Sequence, residues 1–151
     1  MPDGRTHAAA TLALATCAGA CSLLDPRVLP VTAGILTGLI LDPDLDVDGW
    51  TQAERRVWRL WRPMGWAWRA YWYPYARLSG HRGISHWPVA GTLIRVLYLA
   101  SPPLALALWR GWHVPWGLAG LWLAGLCLAD ALHVGLDRLV THLWRRECSI
   151  R

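Results

Sequence analysis

Four apolar runs dominate this chain, at residues 8–24, 28–41, 88–108 and 116–129, and residues of metal-ligand type stand at one end of each. The alanine and leucine content of the first run predicts a helix with Thr6 as its N-cap. Asp25, Pro26 and Arg27 form a turn. In the second run Gly34 and Gly38, four residues apart, make a small-residue face that permits close helix packing. Both runs fall short of the roughly 20 residues a bilayer core needs, so they read either as short spans or as a helical hairpin inside a soluble bundle. The expected fold class is all-α: a helical membrane bundle of about four apolar helices plus a basic interfacial helix, in one domain over residues 1–151.

Charge points the same way. All 15 basic residues are arginine, and against 10 acids they leave a net charge of +5. That favours an anionic partner such as phospholipid headgroups, phosphate esters or nucleic acid. Four long apolar runs are rare in a nucleic-acid module of this size, so no nucleic acid is expected and the lipid bilayer is the expected partner. Arg55, Arg59 and Arg62 recur at helical spacing, as do Val57, Leu60, Trp61 and Met64. This predicts a basic amphipathic interfacial helix over 54–72, broken at Pro63 and Gly65; the alternative is an arginine-solvated surface helix. The 12 tryptophans favour the interface, where Trp is enriched.

The third run is expected to bend or end near Pro102 and Pro103, and the fourth to continue as a more polar helix through Leu143. Seven arginines lie between Arg55 and Arg82 and four after Leu136, against one in each of the loops at Arg27 and Arg110. The positive-inside rule then places both termini and the middle segment on the cytoplasmic side of an inner membrane. The apolar start of the chain is not read as a signal peptide, because a second apolar segment follows at once. Cys17, Cys21, Cys127 and Cys148 form no zinc pattern and no disulfide framework; Cys17 and Cys21, one helical turn apart in an apolar run, read as small buried hydrophobes.

In that topology His7, the aspartates 42, 44, 46 and 48, the pair His81 and His86, and Asp130, His133 and Asp137 all reach one membrane face. Neutral imidazole is the commonest protein metal ligand, and His81-Arg82-Gly83-Ile84-Ser85-His86 sets two of them around a glycine in a loop. Asp130, His133 and Asp137 are spaced i, i+3, i+7 and share a helix face; a solvated polar face is the alternative. His142 falls off that face and is expected at the surface. The alternating carboxylates of 42–48 repel one another unless a cation or an arginine neutralises them. One reading is a transition-metal site using Asp44 and Asp46. The other is a calcium loop, since Asp44-x-Asp46-x-Asp48-Gly49 opens like an EF-hand, although Arg55 stands where the bidentate Glu belongs and Glu54 comes one place early. Arg95, deep in the third run, must snorkel, pair with an aspartate or bind an anionic group. The chain has no G-x-S-x-G elbow, no phosphate-binding glycine loop and no H-E-x-x-H.

The ordered set Gly4-Arg5-Thr6-His7, Pro43-Asp44-Leu45-Asp46, His81-Arg82-Gly83-Ile84-Ser85-His86 and His133-x-x-x-Asp137 resembles a family of uncharacterised bacterial metal-binding membrane proteins. Gly91-Thr92 and Arg95-Val96-Leu97-Tyr98-Leu99 look like the same family. More distantly the chain is similar to LexA-regulated, membrane-bound metal-dependent hydrolases, and more faintly to zinc-dependent phospholipase C and related nucleases. The resemblance implies a metal-site role for His7, Asp44, Asp46, His81, His86, His133 and Asp137. Asp42 and Asp48 lie outside the recurring pattern, and Trp87 stands where a small residue is more usual, which bears on the width of the entrance. Helix spacing adds Asp130 as proton acceptor, and Arg82 or Arg95 as the holder of an anionic group.

The expected function is metal-dependent hydrolysis, with a phosphoester at the cytoplasmic membrane face as the substrate. Mixed His and Asp ligands suit zinc first, then manganese or iron, with room for two clustered ions. The alternative is a non-enzymatic structural or sensory metal protein. A third reading is a soluble helical protein bound peripherally to membranes.

Overall fold

The computed structural model describes residues 4–46, 50–79, 86–87 and 89–149, apart from the side chains of 46 and 144–149. The described elements are all helical. Helix α1 (Gly4–Ser22) leads through a 3-10 turn (Pro26–Val28) into α2 (Leu29–Thr37). A second 3-10 turn (Pro43–Asp46) precedes α3 (Gln52–Leu60), α4 (Arg62–Ser79), α5 (Ala90–Trp109) and α6 (Trp116–Ser149).

The long helix α6 is the spine. Helix α2 lies on it and α1 lies on α2. Glycines set the approach: a Cβ at Gly34 would lie 1.9 Å from the Trp122 carbonyl oxygen, and one at Gly125 2.0 Å from the Val31 carbonyl oxygen. The obstacle in each case is backbone, which cannot rotate aside as a side chain can. Gly38 faces Ala129 in the same seam, 2.7 Å from a built Cβ, so α2 uses the small-residue face that its spacing predicts. Yet α2 has only nine residues. Beyond Gly38 the chain turns inward, because Leu41 and Leu45 are fully buried with Ala53, Trp72, Tyr75 and Leu126 in the main core. Among the described residues two helices are therefore long and apolar enough to cross a membrane, α5 and the 116–143 portion of α6. The four-span expectation reduces to these two.

The N-terminal and middle segments also depart from expectation. Helix α1 already includes Gly4 and Arg5, so Thr6 lies inside it. The break in the arginine-rich segment falls at Trp61, whose backbone is extended, and α4 then runs through Pro63 and Gly65 to Ser79. Proline is well tolerated in the first turn of a helix, where its missing N–H has no intrahelical partner in any case. Gly65 packs directly on Trp58 at the α3–α4 corner. On the outer side of that corner Leu60, Trp61, Met64 and Trp66 are exposed. Thr51 and Glu54 form a reciprocal capping box at the start of α3, with bonds of 2.9 and 3.1 Å. Glu54 also accepts from Arg69. The carboxylate that the calcium-loop reading needs is thus engaged in capping and ion pairing, and that reading falls.

Helix α5 does not end at Pro102 and Pro103; it continues to Trp109. Pro102 cannot donate to the Tyr98 carbonyl, which instead accepts from Tyr71 Oη at 2.7 Å and Ser101 Oγ at 3.1 Å. Tyr98 Oη returns a bond to the Tyr71 carbonyl at 2.7 Å. Arg95, with no exposed surface, donates to Asp130, which also accepts from Thr92 Oγ1. Of the three roles open to Arg95, pairing with an aspartate is the one realised.

Two stability outcomes follow from these contacts. Gly34→Ala should destabilise the protein by about 2–3 kcal/mol through overpacking. Gly120→Ala, where nothing lies within 4 Å, should be neutral or stabilising by up to about 1 kcal/mol. Equal shifts in thermal melting of the detergent-solubilised variants would refute the seam. Arg95→Met should cost about 3–5 kcal/mol by stranding a buried carboxylate, and Arg95→Met/Asp130→Leu should recover most of that loss. A double variant no more stable than the single one would show that the pair is not the anchor.

Candidate metal centre

Five side chains from four parts of the chain converge beside the α1–α2–α6 seam. His7 comes from the first turn of α1 and is buried on the same stripe as Thr11 and Ala15. Asp44 comes from the 3-10 turn, oriented by the buried Leu41, Pro43 and Leu45 around it. His86 immediately precedes α5. His133 and Asp137 lie one turn apart on α6. The guanidinium of Arg56 joins the start of α1 to the chain just after α2, donating to the Leu39 carbonyl and, at 3.4 Å, to the Gly4 carbonyl.

The imidazoles of His7 and His133 stack with centroids 3.8 Å apart and planes 8° from parallel. His7 Nε2 is 3.1 Å from Asp137 Oδ1. Asp44 Oδ1 is 3.6 Å from both His86 Nε2 and His133 Nε2, and His133 Nε2 is 3.8 Å from Asp137 Oδ2. Two overlapping ligand triads result, His7–His133–Asp137 and Asp44–His86–His133, each with its donor atoms within 4.8 Å of one another.

These donors suit an ion better than they suit each other. His7 Nδ1 and His133 Nε2 are buried and have no hydrogen-bond partner among the described residues, a condition that costs about 1–3 kcal/mol per group. The 3.6 Å contacts are long for hydrogen bonds. They match the about 3.3–3.6 Å that separates donors on a tetrahedral ion with bonds of about 2.0–2.2 Å. The donor chemistry, imidazole and carboxylate, suits a divalent transition metal.

At two of the ligands, His7 and Asp44, electrostatics favour the ligating form. Burial first, then the stacked His133, pushes the His7 imidazole below its usual range against the pull of Asp137 and Asp44, and neutral imidazole is the form that binds metal. Burial alone would raise the Asp44 carboxyl, but the imidazoles of His133 and His86 outweigh it and hold the group well below the usual carboxylate range.

The remaining sequence candidates fall elsewhere. Asp46 contributes its backbone to the 3-10 turn, and its side chain lies outside the described residues, as do His81 and Arg82. Asp130 shares the helix face of His133, as i, i+3 spacing predicts, but its carboxylate is engaged by Arg95 and Thr92. A carboxylate so engaged is poorly placed to accept a proton from a substrate. Arg95, held in the same pair, is equally removed from an anionic ligand. Three residues carry weight that the sequence pattern did not assign. Asp42 is buried within the ligand cluster's own recess, and burial first, then Asp44, pushes its carboxyl up to about 7. Arg138 and His142 line a cleft of about 470 Å³ that opens on His86 and Asp137. His142 is therefore a cleft residue as well as a surface one; its i+5 offset from Asp137 was the only available signal.

Residues 2–116 match the family described as "Uncharacterized metal-binding protein (DUF2227)". A protein of Aquifex aeolicus (strain VF5), described only as an uncharacterized protein, is 35% identical over 72 residues, which are 47% of this chain and 45% of that relative. The match thus spans less than half the length of the relative. No solved structure matches the chain significantly. The family match takes in His7, Asp44 and His86 and stops short of His133 and Asp137, which join the same cluster from α6. With about three quarters of its length matched, the chain belongs to this family of uncharacterized metal-binding proteins.

Proposed function

We propose that the protein is a membrane-bound, metal-dependent hydrolase of phosphoesters, with its metal held by His7, Asp44, His86, His133 and Asp137. The observation that carries this is the sharing of His133 by two ligand triads beside an open cleft. One imidazole lone pair serves one ion, so the two triads merge into a single centre rather than two independent ones. A second ion would draw on Asp46 and His81. Zinc is the ion this donor set suits first, with manganese and iron next.

A divalent ion held there supplies Lewis acidity and makes water nucleophilic at neutral pH. The chain's own residues do the rest. His86 and Asp137 form the cleft-side edge of the cluster, so substrate meets the site there. Asp130 and Arg95 hold α5 against α6 and so keep His86 opposite His133. The choice of reaction follows the motif resemblance read from the sequence, while the family match itself speaks for metal binding alone. A metal clip of structural or sensory role is the second reading, favoured by the way the cluster ties four chain segments together.

The membrane placement rests on α5 and α6, with the site at the cytoplasmic face, both termini on that side and the bilayer as partner. Two experiments test these assignments. Purified protein should carry about one equivalent of transition metal by mass spectrometry, and His133→Ala should retain less than about a tenth of it. Asp44→Ala should lose at least about 100-fold in hydrolysis of a chromogenic phosphoester with its helical signal intact. Metal that stays in His133→Ala would overturn the site, while metal without turnover in the wild type would favour the clip. Secondly, the protein should stay with membranes through alkaline carbonate and leave only with detergent. Release by carbonate or high salt would overturn the integral placement.

A further inference from the structure

We propose that the cleft beside the metal centre receives the anionic end of a phosphate ester and that Arg138 is the residue that holds it; this rests on the hydrolase reading above. The cleft, about 470 Å³, is lined by His86 and Asp137 of the metal cluster and by Arg138 and His142. Its volume is that of a small-molecule site. Val134, Arg138, Thr141 and His142 follow i, i+4, i+7, i+8 and so form one stripe of α6, adjacent to the stripe that carries His133 and Asp137. The two stripes therefore set a cation-holding edge and a guanidinium side by side on one rigid helix.

Among the described arginines near the centre, Arg138 is the one available. Arg95 is committed to Asp130, Arg69 to Glu54, and Arg56 to the Leu39 and Gly4 carbonyls. Arg138 is exposed and makes no hydrogen bond or ion pair with the described residues. The Thr141 hydroxyl is turned back to the Asp137 carbonyl at 2.7 Å, which leaves Arg138 and His142 as the donors of that stripe. A planar guanidinium fork matches two oxygens of a phosphate group in a bidentate contact. A tetrahedral anion held between Arg138 and the metal edge would present its phosphorus to the centre. Trp87, 62% exposed at the rim, offers an apolar or aromatic surface to the rest of the ester. The shared chemistry is a phosphate monoester group, free or as a lipid headgroup.

The test is binding, not turnover. Zinc-loaded protein in detergent is titrated calorimetrically with inorganic phosphate, and the same protein is floated with phosphatidylcholine vesicles containing phosphatidic acid. Arg138→Ala should weaken phosphate binding by roughly 10- to 100-fold, with Arg138→Lys in between and zinc content unchanged in both. Arg138 is exposed, so the variants should keep the wild-type melting temperature. Arg138-dependent binding of phosphate alone would assign the cleft to soluble esters, and an Arg138-dependent preference for phosphatidic acid vesicles would assign it to a lipid headgroup; either supports the proposal. Wild-type affinity in Arg138→Ala, or no phosphate binding by the zinc-loaded wild type, would overturn it while leaving the metal centre standing. Failure of the wild type to hold zinc, manganese or iron would remove the metal reading, and this proposal with it.

Discussion

A guanidinium with no exposed surface lies against a buried carboxylate where α5 meets α6, and the geometry of the ligand cluster depends on that pair. Burying either charge alone would be prohibitive, and burying both is tolerable only at close range with further hydrogen bonds. Thr92 supplies one such bond to Asp130. The pair therefore locks α5 to α6 at one level along their axes. His133 and Asp137 follow Asp130 by one and two turns of α6, and His86 precedes Arg95 on the chain just before α5. Slipping one helix against the other would both strand the charge and separate His86 from Asp44 and His133.

The cluster itself is a second electrostatic problem with a related solution. His7 and His133 stack face to face at 3.8 Å, which disfavours both being protonated. Asp42 and Asp44 are close enough that Asp44 helps raise the Asp42 carboxyl to about 7. Like groups are thus pressed together on both the imidazole and the carboxylate side, and the packing that does so is strong: backbone against backbone at Gly34 and Gly125. Such crowding is coherent when a divalent cation stands among the ligands, because Asp44, Asp137 and the neutral imidazoles then have a common partner.

Much of this was legible in the chain before any coordinates, where the signal was local. The i, i+3, i+7 spacing of Asp130, His133 and Asp137 on a helix, the Gly34/Gly38 face and the helical class all follow from periodicity. What was not legible is what tertiary contacts decide. Pro102 and Pro103 read as an end to α5 until Tyr71 and Ser101 are seen satisfying the Tyr98 carbonyl. Asp130 shares the face of His133, yet Arg95 from another helix claims its carboxylate. Glu54 stood one place early for a calcium ligand; the Thr51-x-x-Glu54 spacing of a capping box was open to reading, but the return of Arg69 onto its carboxylate was not. Arg138 and His142 belong to a stripe with no pattern of its own. Only the position of His86 across from it makes that stripe the wall of a cleft.

Helix lengths connect the ion pair to the bilayer. From Trp109 back to Val96, and from Trp116 forward to Ala129, each helix offers about 20 Å of apolar rise at 1.5 Å per residue. A hydrocarbon core of about 30 Å needs roughly 20 residues. In the membrane placement proposed above, Arg95 and Asp130 must then enter the hydrocarbon, which intramembrane charges do when they face the protein and pair with each other. They do face the protein, while Leu97, Leu106, Leu108, Leu118, Leu121 and Leu128 face outward. Trp109, Trp112 and Trp116, all more than half exposed at the α5–α6 turn, would occupy the far interface, as aromatic belts do. Counting about 20 residues along α6 from Trp116 reaches Gly135, between His133 and Asp137. In that proposed placement the charge pair that fixes the helices to one another would also extend the apolar hairpin to bilayer length, and it would leave the ligand cluster at the membrane surface with its cleft beyond it.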